Sequence, residues 1–504
     1  MLVSDVVESI GHDGLKSYYS FETFVINILE QHISAVGGTF YTSRRGKKGF
    51  DAYSPSGFDE YVGPTAFEVK MSIARLPIRQ VALHINRMLL SDLPEQKIVN
   101  LILITAVEAS EEFSRKVTKI FSREVPGVRI DIWGVEKLQS IAQLYPEKAK
   151  DIADNLFTLR LKSAVDKPPL DWKTSREEIL DNLRSSYLKG QFSLFLGAGV
   201  SSSAGMPDWN TLLNSLFASY LTKEFDGAET VSAEDIRGLV DRLGKVDDPS
   251  ALMAARYLRK GLDQSGSESK DFVAAITKSL YLLRNKDRPI SSALIKSISR
   301  LCMPRRTGAK VKALVTYNFD DLVERQLTTN SIRHRCVYNQ SEMYDPDELP
   351  VYHVHGFLPE SVGSYEGLDK STLVFSEEGY HHIYSDSYHW SNLVQLNCLR
   401  EHNCLMVGLS MSDPNLRRLL DIAARGIEGH KHFAFMRRLS IDKFCYEGRD
   451  EERKQKVENL SAAITFLQRH HTLNERLMEE LGVTVIWYES HEEIPDILNQ
   501  IGRF

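Results

Sequence analysis

The stretch Phe195-Leu196-Gly197-Ala198-Gly199-Val200-Ser201-Ser202-Ser203-Ala204-Gly205-Met206-Pro207-Asp208-Trp209 decides the reading of this chain. It continues an apolar run, residues 191–196 (QFSLFL), and leads into a helical pattern over 209–220. A buried strand that breaks into a glycine turn ahead of a helix is where an open α/β sheet places a phosphate loop. Glycines let backbone N–H groups approach a diphosphate, and the helix N-terminus adds partial positive charge. The alternative is an ordinary tight strand–helix turn, and a GxG pattern alone does not separate the two.

Two segments downstream favour the first reading. Thr316-Tyr317-Asn318-Phe319-Asp320-Asp321-Leu322 and His353-Val354-His355-Gly356 each close an apolar strand run, 313–316 (ALVT) and 351–355 (VYHVH). In doubly wound sheets ligands gather at the carboxyl ends of strands. Asn318 and Asp320 suit ribose hydroxyls or a bound water, and His355 suits proton acceptance, its ordinary pKa being ~6.5. The competing readings are an Asx turn at Asn318, a helix cap at Asp320 and a satisfied core histidine. His353 and His355, two apart on one extended strand, would share a face and mimic a metal pair, but no third spaced ligand is visible. A fourth turn, Val407-Gly408-Leu409-Ser410 followed by Asp413-Pro414-Asn415, again ends a strand run, 404–407 (CLMV). With a helix over 176–188 and further strands over 432–436 and 483–487, this region reads as a doubly wound parallel sheet. Residues from about 221 to 300 are polar and helical in pattern and read as an insertion in it.

The ordered set GAGVSSSAGMPDW, TYNFDD, HVHG and VGLSMSDPN resembles the sirtuin NAD-binding domain, in the prokaryotic Sir2-like branch associated with antiphage defence, over roughly residues 175–504. The resemblance implies a Rossmann-like α/β fold and NAD+ as substrate. It carries the pyrophosphate loop onto Gly197, Ala198, Gly199 and Ser201, and the acid of the "PD" segment onto Asp208. It places Asn318 and Asp320 beside the nicotinamide ribose, His355 as the catalytic histidine, and Gly408 and Ser410 at the adenosine-side turn. Deacylating sirtuins carry a four-cysteine zinc module, which Cys398 and Cys404 cannot build; no zinc is expected, and water becomes the acceptor. The reaction implied is cleavage of NAD+ to nicotinamide and ADP-ribose, with oxocarbenium character at the ribose.

Residues 14–160 read as a separate α/β unit. A helix spans 15–33, strands span 65–70, 100–105 and 129–133, and helices are expected at 78–90 and 111–124, an alternation that implies a partly parallel sheet. Asp51 stands at a strand end, and Phe67-Glu68-Val69-Lys70 turns Glu68 and Lys70 to one face. Asp51 and Glu68 could hold Mg2+ while Lys70 orients or activates water beside a scissile phosphate. The pattern resembles the PD-(D/E)xK restriction-endonuclease-like fold in its Mrr-like form, which carries a first-helix acid onto Glu22 and a helical glutamine onto Gln80. The alternative is an exposed strand edge bearing charges. The basic run Arg44-Arg45-Gly46-Lys47-Lys48 suits a DNA backbone or a solvated loop. The proline-paired stretch 163–174 (SAVDKPPLDWKT) is the linker candidate. The expected domains are 1–165, restriction-endonuclease-like, and 166–504, Sir2-like.

Composition sets the outer limits. The 504 residues exceed one small module, and 62 Lys+Arg against 68 Asp+Glu give a net charge of −6, which denies the whole molecule a strongly basic field. Five scattered cysteines (302, 336, 398, 404, 445) form no CxxC pair, as expected in a reducing compartment. Acids at the start of MLVSDVVESIGHDG and the lack of a long apolar run lead to an expectation of cytoplasmic location without a membrane span.

Three functions compete. The first is an NAD+ glycohydrolase effector that depletes cellular NAD and causes abortive infection, gated as a homo-oligomer or by a HerA-like ATPase or other sensor that the resemblance implies. The second is a Mg2+-dependent DNA nuclease whose Sir2-like half senses NAD or ADP-ribose. The third is a non-catalytic assembly module.

Overall fold

The computed structural model describes residues 3–10, 15–42, 50–71, 98–107, 110–124, 127–156, 158–159, 172–208, 211–213, 215–216, 270–371, 373–374, 383–386, 388–425, 431–447 and 454–502. The expected helix at 78–90 with Gln80, the basic run 44–48, linker residues 163–171 and insertion residues 221–269 lie outside this set. Compactness divides the chain into two units. One comprises Met1–Glu178, Ala424–His430 and Ile441–Gly482; the other Ile179–Ala423, Lys431–Ser440 and Val483–Phe504.

In the first unit, Leu15–Ala35 is helical because Phe21, Phe24, Val25, Ile28 and Leu29 recur at helical spacing, and all five are fully buried. Burial of each contributes about 1.5–3 kcal/mol. Five strands form a sheet in sequence order: β1 (Tyr41–Thr42), β2 (Ala52–Ser54), β3 (Thr65–Lys70), β4 (Asn100–Thr105) and β5 (Arg129–Trp133). β1, β2 and β3 pair antiparallel, while β3, β4 and β5 run parallel. The crossover between β4 and β5 is the helix Glu111–Glu124. The first-unit helix Leu460–Glu480 buries Ala463, Leu467, His471 and Met478 along one stripe.

The second unit is built on seven parallel strands: β6 (Phe192–Leu196), β7 (Val311–Thr316), β8 (His334–Val337), β9 (Leu349–His353), β10 (Asn403–Val407), β11 (His432–Arg437) and β12 (Val483–Tyr488). Their order is β8-β9-β7-β6-β10-β11-β12. The chain leaves β6 toward β7 and β9, then returns to β10 on the other side of β6. That reversal is the switch point at which doubly wound sheets open a ligand crevice, and this parallel sheet fits a Sir2-type Rossmann-like fold. β6 is buried throughout, and its apolar run packs with Leu314, Val351, Leu405 and the helices Ala293–Cys302 and Glu493–Gly502.

Two boundaries differ from the sequence reading. β8 (HRCV) had no counterpart in it, because His334 and Arg335 hide the apolar signal of an edge strand. β9 stops at His353, so His355 lies in the following turn, closed by Gly356 at φ +108°, a conformation glycine adopts without strain.

Candidate functional site

The loops after β6, β7, β9 and β10 meet at one sheet edge. Gly197 and Gly199 pack against the loop after β10. Gly197 N–H donates to Val407 O and Gly199 N–H to Gly408 O, both at 2.9 Å. A Cβ on Gly197 would lie 2.5 Å from Gly408 O, and one on Gly199 2.8 Å from Gly408 Cα. Gly408 itself holds φ +68°, and a Cβ there would meet Val200 N at 2.7 Å. These glycines therefore allow close approach of two loops across the switch point. Val200 N–H is also engaged, by Gly197 O at 2.9 Å. Such N–H groups are the donors expected to meet a diphosphate; in the structure three of them have protein partners.

The TYNFDD segment is tied to the same turn. Asn318 is buried and its Nδ2 donates to Gly197 O at 2.9 Å. Ser201 Oγ donates to Asp320 Oδ2 at 2.6 Å, and Leu322 N–H donates to Asp320 Oδ1 at 3.2 Å, so Asp320 also braces the start of the helix Leu322–Thr329. Burial lifts the Asp320 carboxyl to a pKa of about 6, against the opposing pull of these two hydrogen bonds. Asp321 turns elsewhere, onto Arg325 at 2.8 Å.

His355 is buried, and burial lowers its pKa, opposed by the charge of Asp413. An imidazole so placed stays neutral at neutral pH and can accept a proton. Its ring meets Tyr317 edge-on, centroids 4.7 Å apart, and the Tyr317 hydroxyl donates to Gln395 Oε1. Its Nε2 lies 3.8 Å from Asp413 Oδ2, while Asp413 Oδ1 accepts from Leu416 N–H at 2.7 Å to cap the helix Pro414–Ala424. Met411, two residues before Asp413, holds φ +60°, an uncommon conformation for a side-chain-bearing residue. In the sequence Asp413 stands out only as an Asp-Pro step at a helix start, which signals the cap and not the contact with His355.

Other expected positions are placed differently. Asp208 is exposed and accepts from Thr211 N–H at 2.8 Å, which lowers its pKa. Ser410 is exposed and hydrogen-bonds Ser412 Oγ at 2.6 Å. His353 does not face the same partners as His355: its Nε2 lies 2.6 Å from Glu324 Oε1.

In the first unit, Lys70 Nζ donates to Glu68 Oε1 at 2.7 Å and Val69 N–H donates to Asp51 Oδ2 at 2.7 Å. Burial, with the neighbouring charges of Glu68 and Glu22, drives the Asp51 carboxyl well above its usual range. The charges of Glu68, Asp51 and Glu22 outweigh burial at Lys70 and hold its ammonium protonated. Glu22, Asp51, Glu68 and Lys70 thus form one electrostatic cluster. Glu68 Oε2 is buried without a hydrogen-bond partner.

Residues 312–463 match the model of the family described as the SIR2-like domain. That match runs from β7 past the helix Pro414–Ala424 and so takes in Asn318, Asp320, His355 and Asp413. The chain is also similar to the NAD(+) hydrolase ThsA of Enterococcus faecium, 23% identical over 320 residues. The similarity covers 62% of this chain and 56% of that protein, so the chain spans little more than half of that relative's length. Among the described residues no helix is long and apolar enough to cross a membrane.

Proposed function

We propose that the protein is an NAD+ hydrolase that releases nicotinamide and ADP-ribose, acting as an effector of bacterial antiphage defence through NAD depletion and abortive infection. The observation that carries the reading is the convergence of Asn318, Asp320 and the His355–Asp413 pair on the glycine turn at the switch point. Similarity to a protein named as an NAD+ hydrolase supports it.

In the proposed reaction the bond between ribose C1′ and the pyridinium nitrogen breaks, and its electron pair neutralises the departing nicotinamide. Water bonds to C1′ and gives its proton to His355, whose lowered pKa keeps the ring ready to accept it. Asn318 orients the water or ribose hydroxyls, Asp320 braces the loop through Ser201, and Asp413 stabilises the imidazolium as it forms. Gly197, Ala198, Gly199 and Ser201 would line the diphosphate side, and Gly408 and Ser410 the adenosine side. Unregulated turnover would be toxic, so gating by homo-oligomerisation or by a HerA-like ATPase or other sensor belongs to the proposal.

For the first unit we propose an Mrr-like restriction-endonuclease-like domain for DNA binding, cleavage or assembly. The unpartnered Glu68 Oε2 beside a carboxyl that resists ionisation fits a divalent cation: Asp51 and Glu68 would hold Mg2+, which supplies Lewis-acid stabilisation at a phosphate. The alternative function, a nuclease whose Sir2-like half only senses NAD or ADP-ribose, rests on this cluster. Purified protein incubated with NAD+ and Mg2+, with and without DNA, separates the readings. Nicotinamide release supports the hydrolase; DNA scission with intact NAD+ supports the alternative and sinks the hydrolase.

A further inference from the structure

Behind Asn318 lies a second buried group. Glu324 from the helix Leu322–Thr329, Cys336 from β8 and His353 from the end of β9 bring one ligand-type atom each within 4.8 Å of one another. Such a trio invites a zinc assignment, but two ligands about 2.0 Å from one metal at a tetrahedral angle stand roughly 3.3 Å apart. The 2.6 Å between His353 Nε2 and Glu324 Oε1 is the length of a charge-assisted hydrogen bond. The other ring nitrogen, Nδ1, lies 3.3 Å from the backbone oxygen of Asn318. A carbonyl only accepts, so Nδ1 carries the hydrogen, and the proton at Nε2 is shared with Glu324. The ring of Phe357 lies against His353, centroids 4.0 Å apart, which removes its remaining freedom.

We propose that Glu324 and His353 are positioning residues: a fully buried carboxylate–imidazole pair that pins the peptide of Asn318, so that its side chain keeps its aim across the glycine turn. The inference rests on the hydrolase reading. Asn318 is held at three atoms: its side-chain amide by Gly197 O, its backbone N–H by Thr316 Oγ1 at 3.1 Å, and its carbonyl by His353. Removal of the hold on the carbonyl lets the side chain wander by a fraction of an ångström to an ångström, enough to cost roughly 100-fold in rate while ground-state binding persists.

The experiment compares the full-length wild type with His353→Phe, His353→Asn, Glu324→Ala and Glu324→Gln, measuring kcat and KM for NAD+ and thermal unfolding. His353→Phe and Glu324→Ala are expected to lower kcat roughly 100-fold with KM changed little. His353→Asn, whose amide nitrogen occupies the place of Nδ1, and Glu324→Gln are expected to recover most of that loss. Equal kcat in folded His353→Phe and wild type overturns the inference, as does equal loss in His353→Asn and His353→Phe. Stoichiometric zinc in the wild type that disappears in Cys336→Ser overturns it in favour of a metal site. A wild type that leaves NAD+ intact overturns the hydrolase reading itself, a result distinguishable from the others because no variant is needed to see it.

Discussion

Asp413 divides its carboxylate between two tasks: Oδ1 caps the helix Pro414–Ala424 through Leu416 N–H at 2.7 Å, and Oδ2 stands 3.8 Å from Nε2 of His355. One side chain therefore fixes a helix start and the electrostatics of the proposed base. Asp413 raises the pKa of His355 against the larger, opposite pull of burial. Asp413→Asn keeps a capping oxygen but removes the charge, so the pKa of His355 falls further. The acidic limb of the kcat/KM profile should move to lower pH in this variant, with turnover reduced because the imidazolium loses its counter-charge. An unmoved limb would detach Asp413 from the chemistry.

Asn318→Ala and His355→Ala should each lower NAD+ cleavage by roughly 10² to 10⁴ and leave the fold intact. Nicotinamide release beside a circular dichroism melt checks both halves of that statement.

Asp320 ties stability to pH. Its folded pKa is raised from 3.8 to about 6, so folding favours the protonated form. The contribution is fully present below pH ~4 and is lost as pH rises through about 6. The stability difference between Asp320→Asn and wild type should therefore shift in favour of the variant between pH 4 and 7, as read from denaturant midpoints. Activity should fall in the same variant.

Gly408→Ala places a methyl group 2.7 Å from Val200 N on a residue already at φ +68°. Left-handed conformation alone costs about 1–2 kcal/mol with a side chain, and the clash adds to it. A melting temperature lower by several degrees, together with weaker NAD+ binding by calorimetry, is the expected result.

In the first unit, Asp51→Asn relieves a buried repulsion with Glu68 and Glu22 while its amide oxygen still accepts from Val69 N–H. Without divalent ions the variant should be more stable than wild type at neutral pH, since an amide sits beside Glu68 and Glu22 without having to take up a proton. Mg2+ should raise the melting temperature of the wild type and leave the variant unchanged; equal Mg2+ effects would remove the cation from the proposal.

Much of this architecture is legible in the chain itself. The apolar runs of β4, β6, β7 and β10 announce buried strands, since parallel strands covered on both faces lose the alternation of polar and apolar residues. β8 was not legible, because an edge strand needs no apolar run and its HRCV sequence offers half of one. The helix Leu460–Glu480 is equally hard to read, because the polar His471 occupies a place in its buried stripe. Asn318, Asp320 and His355 are legible because each closely follows a recognisable strand. The pairings of Asp413 with His355, of Ser201 with Asp320 and of His353 with Glu324 join elements that meet only in the folded sheet, so no spacing along the chain could reveal them.

The backbone hydrogen bonds that join Gly197 to Val407 and Gly199 to Gly408 have a thermodynamic corollary. An anion that claims either donor must first displace a backbone carbonyl, so occupancy and the shape of the adjoining turn share a single free-energy balance. That turn, a few residues on, is the one that carries Asp413 to His355. A guest's arrival at the proposed diphosphate end would thus be felt at the proposed proton acceptor before any bond is broken.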